Sequence, residues 1–343
     1  MPKVPIEVTK ESYLLKSTFF YNKLQKDGYF DLFMQVQNLC NLEGSKLNWS
    51  QRADWKISDI AWKTIKSSSL DPMLVFVHPK ILQLNPSFLK YYRSVAMIPQ
   101  KGLKSITGVS NVERIEGGKV EAGALSSAVI EKLISSINEV LSLVITLSTD
   151  ISENEIQGMM YATAGINIEG SWRNAIGSEG ERVIRSIILR ELLTQKDISS
   201  FCDRQNKTKA ISEFDENEIL DSIENIKTVY LKNGCSMVFS SEPDIILHDD
   251  CGATVGVIEI KAGLDPAGAL ERLGAMLKSF ENTLAEYPNA ITILVASCIT
   301  DEVETRLSAS MSVRQKYITA NVTSNESSQR KFANSVRKIL KLT

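Results

Sequence analysis

The sequence predicts an α/β protein in which a mixed β-sheet is flanked by helices and preceded by a mainly helical amino-terminal region. Three observations predict this fold class. Apolar residues recur at helical spacing through much of the first half of the 343 residues, short β-rich runs follow in the second half, and helical segments alternate with the last of these runs. We therefore expect two parts, with residues 1–150 as the helical region and residues 151–343 as the sheet-containing core.

The amino-terminal part is predicted to contain three prominent helices. Residues 17–42 form two of them, with a break near Gly28, and residues 126–147 form the clearest helix, opened by serines suited to capping. The apolar stripe of this helix consists of Val129, Leu133, Ile137, Val140, Leu141 and Val144. Between these helices, residues 98–111 are basic and punctuated by glycine, so we expect a loop there that approaches a ligand.

The second part begins with a glycine-rich segment. We expect residues 165–177 to form a loop that leads into a helix from about Ser178 to Leu193. Four β-rich runs come next, at residues 227–231, 235–240, 244–248 and 254–261.

Helices and one further strand are predicted to complete this part. A helix follows the β-rich runs, with Asp265 as its N-cap and Pro266 in the first helical position, where a missing N–H has no cost. Residues 289–299 have the pattern of a buried strand, and a last helix is predicted to begin near Ser327.

Composition and charge limit the class of protein. Hydrophobic residues make up 43% and charged residues 23% of the sequence, as in soluble globular proteins. The net charge of −2 argues against nonspecific coating of nucleic acid. Residues 80–119 nevertheless hold seven basic residues against two acidic ones, and residues 330–343 are basic as well. Each segment is either a solvated face or a phosphate-binding one.

Neither the cysteines nor the apolar runs indicate secretion or a membrane. The five cysteines are widely spaced and form no Cys-x-x-Cys pair, which is typical of reduced thiols in a cytoplasm. The sequence opens without the apolar run of a signal peptide, and its apolar stretches are too short to span a bilayer. Two histidines are too few for a histidine-rich metal site, and no GxxxxGK[ST] motif suggests ATP-driven translocation. We expect a cytoplasmic protein.

Acidic residues stand at the ends of two β-rich runs that the turn residues 249–253 join into a predicted hairpin. Strand pairing would bring Asp244 close to Glu259, and side-chain alternation would place Glu259 and Lys261 on one side of the strand. Two converging carboxylates require a cation, and oxygen ligands in this number suit Mg²⁺.

Lys261 completes this set. An ammonium group at this position can orient or help to deprotonate water and can neutralise charge on a phosphorus centre, so the residues predict phosphodiester hydrolysis. The alternative is a structural Glu259–Lys261 pair beside an unrelated Pro243–Asp244 turn.

The pairs Pro243-Asp244 and Glu259-Ile260-Lys261 resemble the motif of the PD-(D/E)xK nuclease superfamily. The resemblance implies that Asp244 and Glu259 bind Mg²⁺ and that Lys261 assists the attacking water. The superfamily core also has a helix before the hairpin that often supplies another glutamate.

Glu181 and Glu179 are the candidates for this further ligand. Glu181 is preferred, because Ile184 and Ile188 share its face of the helix. The alternative for either glutamate is an acidic residue favoured at a helix amino terminus by the helix dipole.

A closer resemblance extends over most of the chain. Four segments, residues 78–102, 170–186, 240–244 and 259–282, are similar to the XcyI family of type II restriction endonucleases. The resemblance implies a Mg²⁺-dependent homodimer that cuts double-stranded DNA within the palindrome CCCGGG, with a cognate DNA methyltransferase in the host but no stable complex with it. The helical region has more apolar residues than a compact nuclease core requires, so we expect it to supply either the dimer contacts or a clamp around the duplex.

Two other functions remain open on the same core: a structure-specific repair or recombination nuclease, and a DNA-binding module without activity. All three residues of the motif, Asp244, Glu259 and Lys261, are present, which favours an active enzyme over the inactive module.

Three residues are candidates for reading DNA bases. Guanine offers O6 and N7 to an arginine fork, and cytosine N4 needs an acceptor. Arg173 and Asn174 lie in the predicted glycine-rich loop, and Arg272 lies on the helix after Lys261. The alternative for each is an ordinary surface side chain, and the neighbouring Trp172 is expected to anchor packing rather than to wedge between bases.

Overall fold

A computed structural model describes residues 6–148, 151–213, 216–263 and 269–342 of the chain. The structure divides into two compact units, Thr9–Trp172 and a second unit that consists mainly of Arg173–Thr343. None of the helices in the described part is both long enough and apolar enough to cross a membrane.

The first unit is built from helices. They are α1 (Ile6–Lys26), α2 (Tyr29–Glu43), α3 (Asp59–Ser67), α4 (Pro72–Val75), α5 (Pro79–Leu84), α6 (Leu89–Val95), α7 (Gln100–Thr107), α8 (Val112–Glu116) and α9 (Ser127–Thr146), with 3-10 turns at Gly44–Lys46 and Pro86–Phe88. The predicted break near Gly28 is confirmed, since this glycine separates α1 from α2 with φ of 71°. A left-handed backbone of this kind carries no steric cost at glycine.

Helix α9 confirms the predicted helix and its serine cap, because the Ser126 hydroxyl accepts a hydrogen bond from the Val129 amide. Its buried apolar face consists of Ile130, Leu133, Ile134, Ile137, Leu141 and Ile145. Of the predicted stripe, Leu133, Ile137 and Leu141 are buried, Val129 and Val140 are half-buried and pack against the core, and Val144 is half-buried. A helix that is apolar on most sides leaves its orientation to the neighbouring helices, which cover the isoleucine side.

The basic segment at residues 98–111 is largely helical, so the predicted loop is wrong there. Pro99 occupies the N-cap position of α7, and Gly108 ends the helix in a left-handed conformation with φ of 68°. The two residue types that suggested a loop are the ones that delimit a short helix.

Helix α10 extends over Glu153–Thr194, so the predicted glycine-rich loop before Ser178 is also wrong. Each glycine in a helix interior lowers helix stability by only about 1 kcal/mol relative to alanine. Buried apolar residues on both sides of the glycines outweigh this cost, among them Met160 and Ile168 in the first unit and Ile184 and Ile188 in the second. The predicted helix from Ser178 to Leu193 is contained in α10.

The second unit contains an eight-stranded mixed sheet in the order β2-β1-β3-β4-β5-β6-β7-β8, which confirms the predicted fold class. The strands are β1 (Ile198–Asp203), β2 (Thr208–Ala210), β3 (Ile226–Leu231), β4 (Ser236–Phe239), β5 (Ile245–His248), β6 (Thr254–Lys261), β7 (Ile291–Ala296) and β8 (Gln315–Ile318). Neighbours from β2 to β6 are antiparallel, whereas β6, β7 and β8 are parallel.

Helices pack on both faces of this sheet. Besides α10 they are α11 (Glu216–Asp221), α12 (Ala269–Glu286), α13 (Asp301–Ala309), α14 (Thr319–Thr323) and α15 (Glu326–Ile339), with 3-10 turns at Ile211–Glu213 and Ile223–Asn225. One core joins Ile258 and Ile260 of β6 to residues of α10 and α15. The other joins Val257 of β6 to residues of α12 and α13. Glu259 thus belongs to the α12 side of the sheet, because neighbouring residues on a strand face opposite sides.

The five strands predicted from β-rich runs are confirmed, and the last helix begins at Glu326, next to the predicted Ser327. The predicted cap at Asp265 and Pro266 lies outside the described residues. Three strands are not predicted from the sequence: β1, β2 and β8. Every residue of β2 is exposed, and β8 has none that is buried, so neither carries a pattern of alternating burial.

Candidate functional site

The hairpin of β5 and β6 brings the predicted acidic residues together. Ile245 pairs with Ile258, which sets Asp244, just before β5, beside Glu259 on β6. The Asp244 Oδ2 atom accepts a hydrogen bond of 2.6 Å from the backbone amide of Ile260. Asp244 follows a cis peptide bond between Glu242 and Pro243. The strand register and one backbone hydrogen bond therefore fix the position of this carboxylate.

Lys261 lies between the two carboxylates. Its Nζ atom is 2.6 Å from Oε2 of Glu259 and 3.7 Å from Oδ2 of Asp244. The other oxygen of Glu259, Oε1, accepts a hydrogen bond of 2.9 Å from the hydroxyl of Ser279 on α12. Asp244 is 4% exposed and Glu259 is 2% exposed, so both acids are held in the protein interior at the end of the sheet.

Burial and like charge make this pair of carboxylates electrostatically unfavourable. The pKa of Asp244 is raised to about 7, mainly by burial and also by the negative charges of Glu259 and Glu181, against the lowering influence of Lys261. Burial lowers the pKa of the Lys261 ammonium, but Asp244 and Glu259 outweigh this effect and the pKa is raised. One ammonium group does not balance the surrounding acids, so the site is suited to a further cation.

The donor set fits a hard divalent metal ion such as Mg²⁺. Asp244 and Glu259 offer carboxylate oxygens, which are the ligands that Mg²⁺ prefers, and Mg²⁺ commonly uses one or two protein carboxylates besides water and phosphate. Among the described residues, three possible ligand atoms lie within 4.8 Å of one another only at Asp249, Asp250 and Cys251. That group forms the turn at the opposite end of the hairpin. There the Asp249 carboxylate already accepts hydrogen bonds from the backbone amides of Cys251 and Ala253.

Glu181 and Glu179 have different surroundings. Glu181 Oε2 is 2.6 Å from Nη2 of Arg185, a buried arginine one helical turn further along α10. The negative charge of Glu181 acts on both Asp244 and Lys261. Glu179 is more exposed and pairs with Arg182 through two hydrogen bonds of 2.8 and 2.6 Å. The structure thus places Glu181 where its charge acts on Asp244 and Lys261, and it directs Glu179 to a surface ion pair.

The predicted base-reading residues lie at different places. Arg173 and Asn174 are exposed on α10, about two turns before Glu181, and not on a loop as predicted. Arg272 lies close to the backbone just after Lys261, since a Cβ atom at Gly263 would be 3.2 Å from its Cζ atom. Trp172 packs against Phe19 with ring centroids 5.3 Å apart, which agrees with the packing role expected for it.

Sequence reasoning did not identify two residues of the site, Ser279 and Arg185. Ser279 is 6% exposed and lies next to Phe280 on the apolar side of α12. Arg185 is 6% exposed and follows the buried Ile184 on α10. Each of the two is a polar residue on the apolar face of a helix. Such a residue usually has a specific buried partner, and this pattern could have identified both from the sequence.

The raised pKa of Asp244 leads to a prediction about stability in the absence of metal. The folded protein holds this proton more tightly than the unfolded chain, so the contribution of Asp244 to the free energy of unfolding falls as pH rises from about 4 to about 7. We expect Asp244→Asn to be more stable than the wild type at pH 8 in EDTA, with the difference shrinking towards pH 4. Urea unfolding across this pH range measures the difference.

Added Mg²⁺ provides the control for this prediction. At pH 8 it should raise the unfolding midpoint of the wild type, because a ligand that binds only the folded state stabilises it, and it should raise that of Asp244→Asn much less. Equal stability of the two proteins throughout the pH range in EDTA would show that ionisation of Asp244 does not lower the free energy of unfolding.

The chain matches the model of a known protein family. The family model described as XcyI restriction endonuclease matches residues 57–343, which is most of the chain. Among curated proteins, none matches the chain.

Proposed function

The chain belongs to the XcyI restriction endonuclease family, and on this premise we propose that it is a type II enzyme that uses Mg²⁺ to hydrolyse both strands of DNA at a palindromic sequence. The observation that carries the proposal is the convergence of Asp244, Glu259 and Lys261 at one end of the sheet, with distances of 2.6 and 3.7 Å from the ammonium to the two carboxylates.

Asp244 and Glu259 are the residues that would hold the metal, and Glu181 is the candidate for a further ligand. When bound, Mg²⁺ would supply a Lewis acid that polarises the scissile phosphate and offsets the charge that develops on it. Ser279 holds Glu259 through one oxygen, and the Ile260 amide holds Asp244. These two contacts orient the carboxylates, so that little rearrangement is needed when substrate binds.

Lys261 acts in this proposal as a fixed positive charge and hydrogen-bond donor. Its pKa is raised, so it remains an ammonium group at neutral pH, and an ammonium group has three donors and no lone pair. It can therefore hold the attacking water or a phosphate oxygen, but it does not accept the proton of the water in this state. Hydrolysis forms a bond from the water oxygen to phosphorus and breaks the bond to the leaving deoxyribose oxygen. The attacking water loses one proton to solvent, and the leaving oxygen takes one up.

The proposed target is CCCGGG, and the proposed assembly is a homodimer. Each chain contributes one set of Asp244, Glu259 and Lys261, whereas a palindrome has two scissile phosphates related by two-fold symmetry. Two chains per duplex are the stoichiometry that this arrangement requires. We assign the dimer contact or a clamp around DNA to the helical region, and base reading to Arg173, Asn174 and Arg272. A cognate methyltransferase would protect the host DNA.

Digestion of DNA of known sequence tests the proposed function. We use two plasmids with Mg²⁺, one with a single CCCGGG and a matched one in which this sequence is scrambled, and Lys261→Ala as the inactive control. The proposal expects a single linear product from the first plasmid and no cleavage of the second. Discrete cleavage of both plasmids at another sequence would support a type II enzyme and would refute CCCGGG as its target.

The same assay separates the two alternatives. A structure-specific nuclease would cut branched or flapped DNA and leave both plasmids without discrete products. A module without activity would bind the duplex in the presence of Mg²⁺ and cut neither plasmid.

A further inference from the structure

A second polar feature lies beside the carboxylates, on the side of α10. A cavity of about 280 Å³ is lined by three arginines, Arg182, Arg185 and Arg204, together with Glu181 and Glu224. Since a water molecule takes up about 30 Å³ of liquid, this volume accommodates a tetrahedral anion with several waters. Apart from Glu181 and its partner Arg185, none of these residues has a role in the hydrolysis proposed above.

Arg185 is a buried cation whose hydrogen bonding is incomplete. It is 6% exposed, its Nη2 atom donates to Glu181 at 2.6 Å, and its guanidinium carbon lies 4.8 Å from the centre of the Phe239 ring. Its Nε–H is buried and has no hydrogen-bond partner. A buried charge is costly unless it is paired and hydrogen-bonded, so Arg185 has unused capacity to stabilise an anion.

The two other arginines increase the positive charge around the cavity. Arg204 is held by a hydrogen bond of 2.7 Å from its Nε atom to the backbone oxygen of Glu224, which does not neutralise it. Burial is the main reason that the pKa of Arg185 is lowered, and the positive charge of Arg204 lowers it further, against the influence of Glu181 and Asp244. Arg182 forms an ion pair with Glu179 at the surface.

Three guanidinium groups thus surround a cavity that has two carboxylates of its own, Glu181 and Glu224. Counting Glu179, which pairs with Arg182, three acids balance the three cations, and commitment of Glu181 to a metal ion would leave an excess of positive charge. Guanidinium groups bind phosphate oxygens through paired N–H donors, which makes phosphate the anion that this group of residues suits best.

We infer that this cavity binds a backbone phosphate of the DNA, distinct from the phosphate that is cut, through Arg182 and Arg204 with Arg185 behind them. The inference rests on the proposed function, because it takes DNA as the source of the phosphate. It assigns the arginines to substrate binding and not to the chemical step.

The test measures DNA binding as a function of salt. Lys261→Ala serves as the parent, so that the DNA stays intact, and labelled duplexes with and without CCCGGG are titrated between about 50 and 200 mM KCl. Each phosphate contact contributes about 0.9 to the slope of log K against log salt, so Arg204→Gln should lower the slope by about 1 for both duplexes. Arg182→Gln should act in the same direction.

Two controls keep the result interpretable. Arg190→Gln removes an exposed arginine of α10 outside the cavity. Its slope of log K against log salt should equal that of the parent. Arg204→Lys keeps the charge and should keep most of the slope, whereas a purely structural role of Arg204 would affect both of its variants.

Two outcomes would overturn the inference. The first is an unchanged salt slope in Arg204→Gln. The second is thermal stabilisation of the parent by inorganic phosphate that Arg204→Gln abolishes without any change in DNA binding, which would indicate a site for free phosphate. Failure of the proposed function looks different, since the unmodified chain would then leave the CCCGGG plasmid without a discrete linear product, whatever the salt slope of Arg204→Gln.

Discussion

Asp244→Asn, Glu259→Gln and Lys261→Ala should each lower the rate of DNA cleavage by about a thousandfold. The first two substitutions keep the shape of the side chain and remove the negative charge that a metal ion requires. The third removes the ammonium group that lies 2.6 Å from Glu259. Single-turnover cleavage of a CCCGGG duplex at saturating Mg²⁺ measures the chemical step without the influence of product release.

The fold should survive these changes, because the three side chains contact one another more than they support the core. Circular dichroism and urea unfolding check this for each variant. DNA binding should persist in Lys261→Ala, which separates loss of chemistry from loss of affinity. Cleavage at a near-normal rate by any of the three variants would remove that residue from the active site.

Glu181 and Glu179 provide a matched pair within the same experiment. Glu181 pairs with the buried Arg185 and its charge acts on Asp244, whereas Glu179 pairs with Arg182 at the surface. Glu181→Ala should therefore reduce the rate or raise the Mg²⁺ concentration needed for half-maximal rate, and Glu179→Ala should resemble the wild type. Wild-type behaviour of both variants would exclude this part of α10 from the metal site.

Gly180→Ala should have the second-largest effect, on both stability and cleavage. A Cβ atom at Gly180 would lie 2.1 Å from the Cβ atom of Ala262, next to Lys261. Helix α10 must then move away from the end of β6, at a cost of about 1–3 kcal/mol for an overpacked contact. Because a displacement of about 1 Å at reacting groups can cost about a hundredfold in rate, we expect a cleavage loss of that order.

The chain offers both a control and a rescue for this substitution. A Cβ atom at Gly177 would meet nothing within 4 Å, so Gly177→Ala should raise the free energy of unfolding by about 0.5–1 kcal/mol through its higher helix propensity. In Gly180→Ala combined with Ala262→Gly, the nearest remaining atom is the Cα atom of residue 262 at 3.5 Å, an ordinary contact. The double variant should recover stability and most of the cleavage rate.

The close approach of α10 to β6 is refuted if Gly180→Ala and Gly177→Ala have the same effect. Urea unfolding of the two single variants and the double variant makes this comparison. The result also bears on Glu181, whose position depends on how near this turn of α10 lies to Lys261.

The sequence by itself determined the hairpin and the acidic pair on it. Asp244 and Glu259 belong to adjacent strands joined by the turn at residues 249–253, so β-rich runs and turn residues are enough to predict that they meet. Local patterns likewise predicted the break at Gly28 and helix α9, because each depends on residues close together in the chain.

Tertiary structure alone decided the parts that depend on contacts between distant segments. The length of α10 reflects apolar packing that outweighs the helix propensity of its glycines, and the exposed strand β2 forms because β1 offers it backbone partners. Ser279 reaches Glu259 across 20 residues of sequence, and Arg185 comes near the Asp244 backbone across 59. A polar residue in an apolar stripe indicates that it has a partner, but only the folded chain identifies that partner, because its position is set by packing between segments and not by spacing within one.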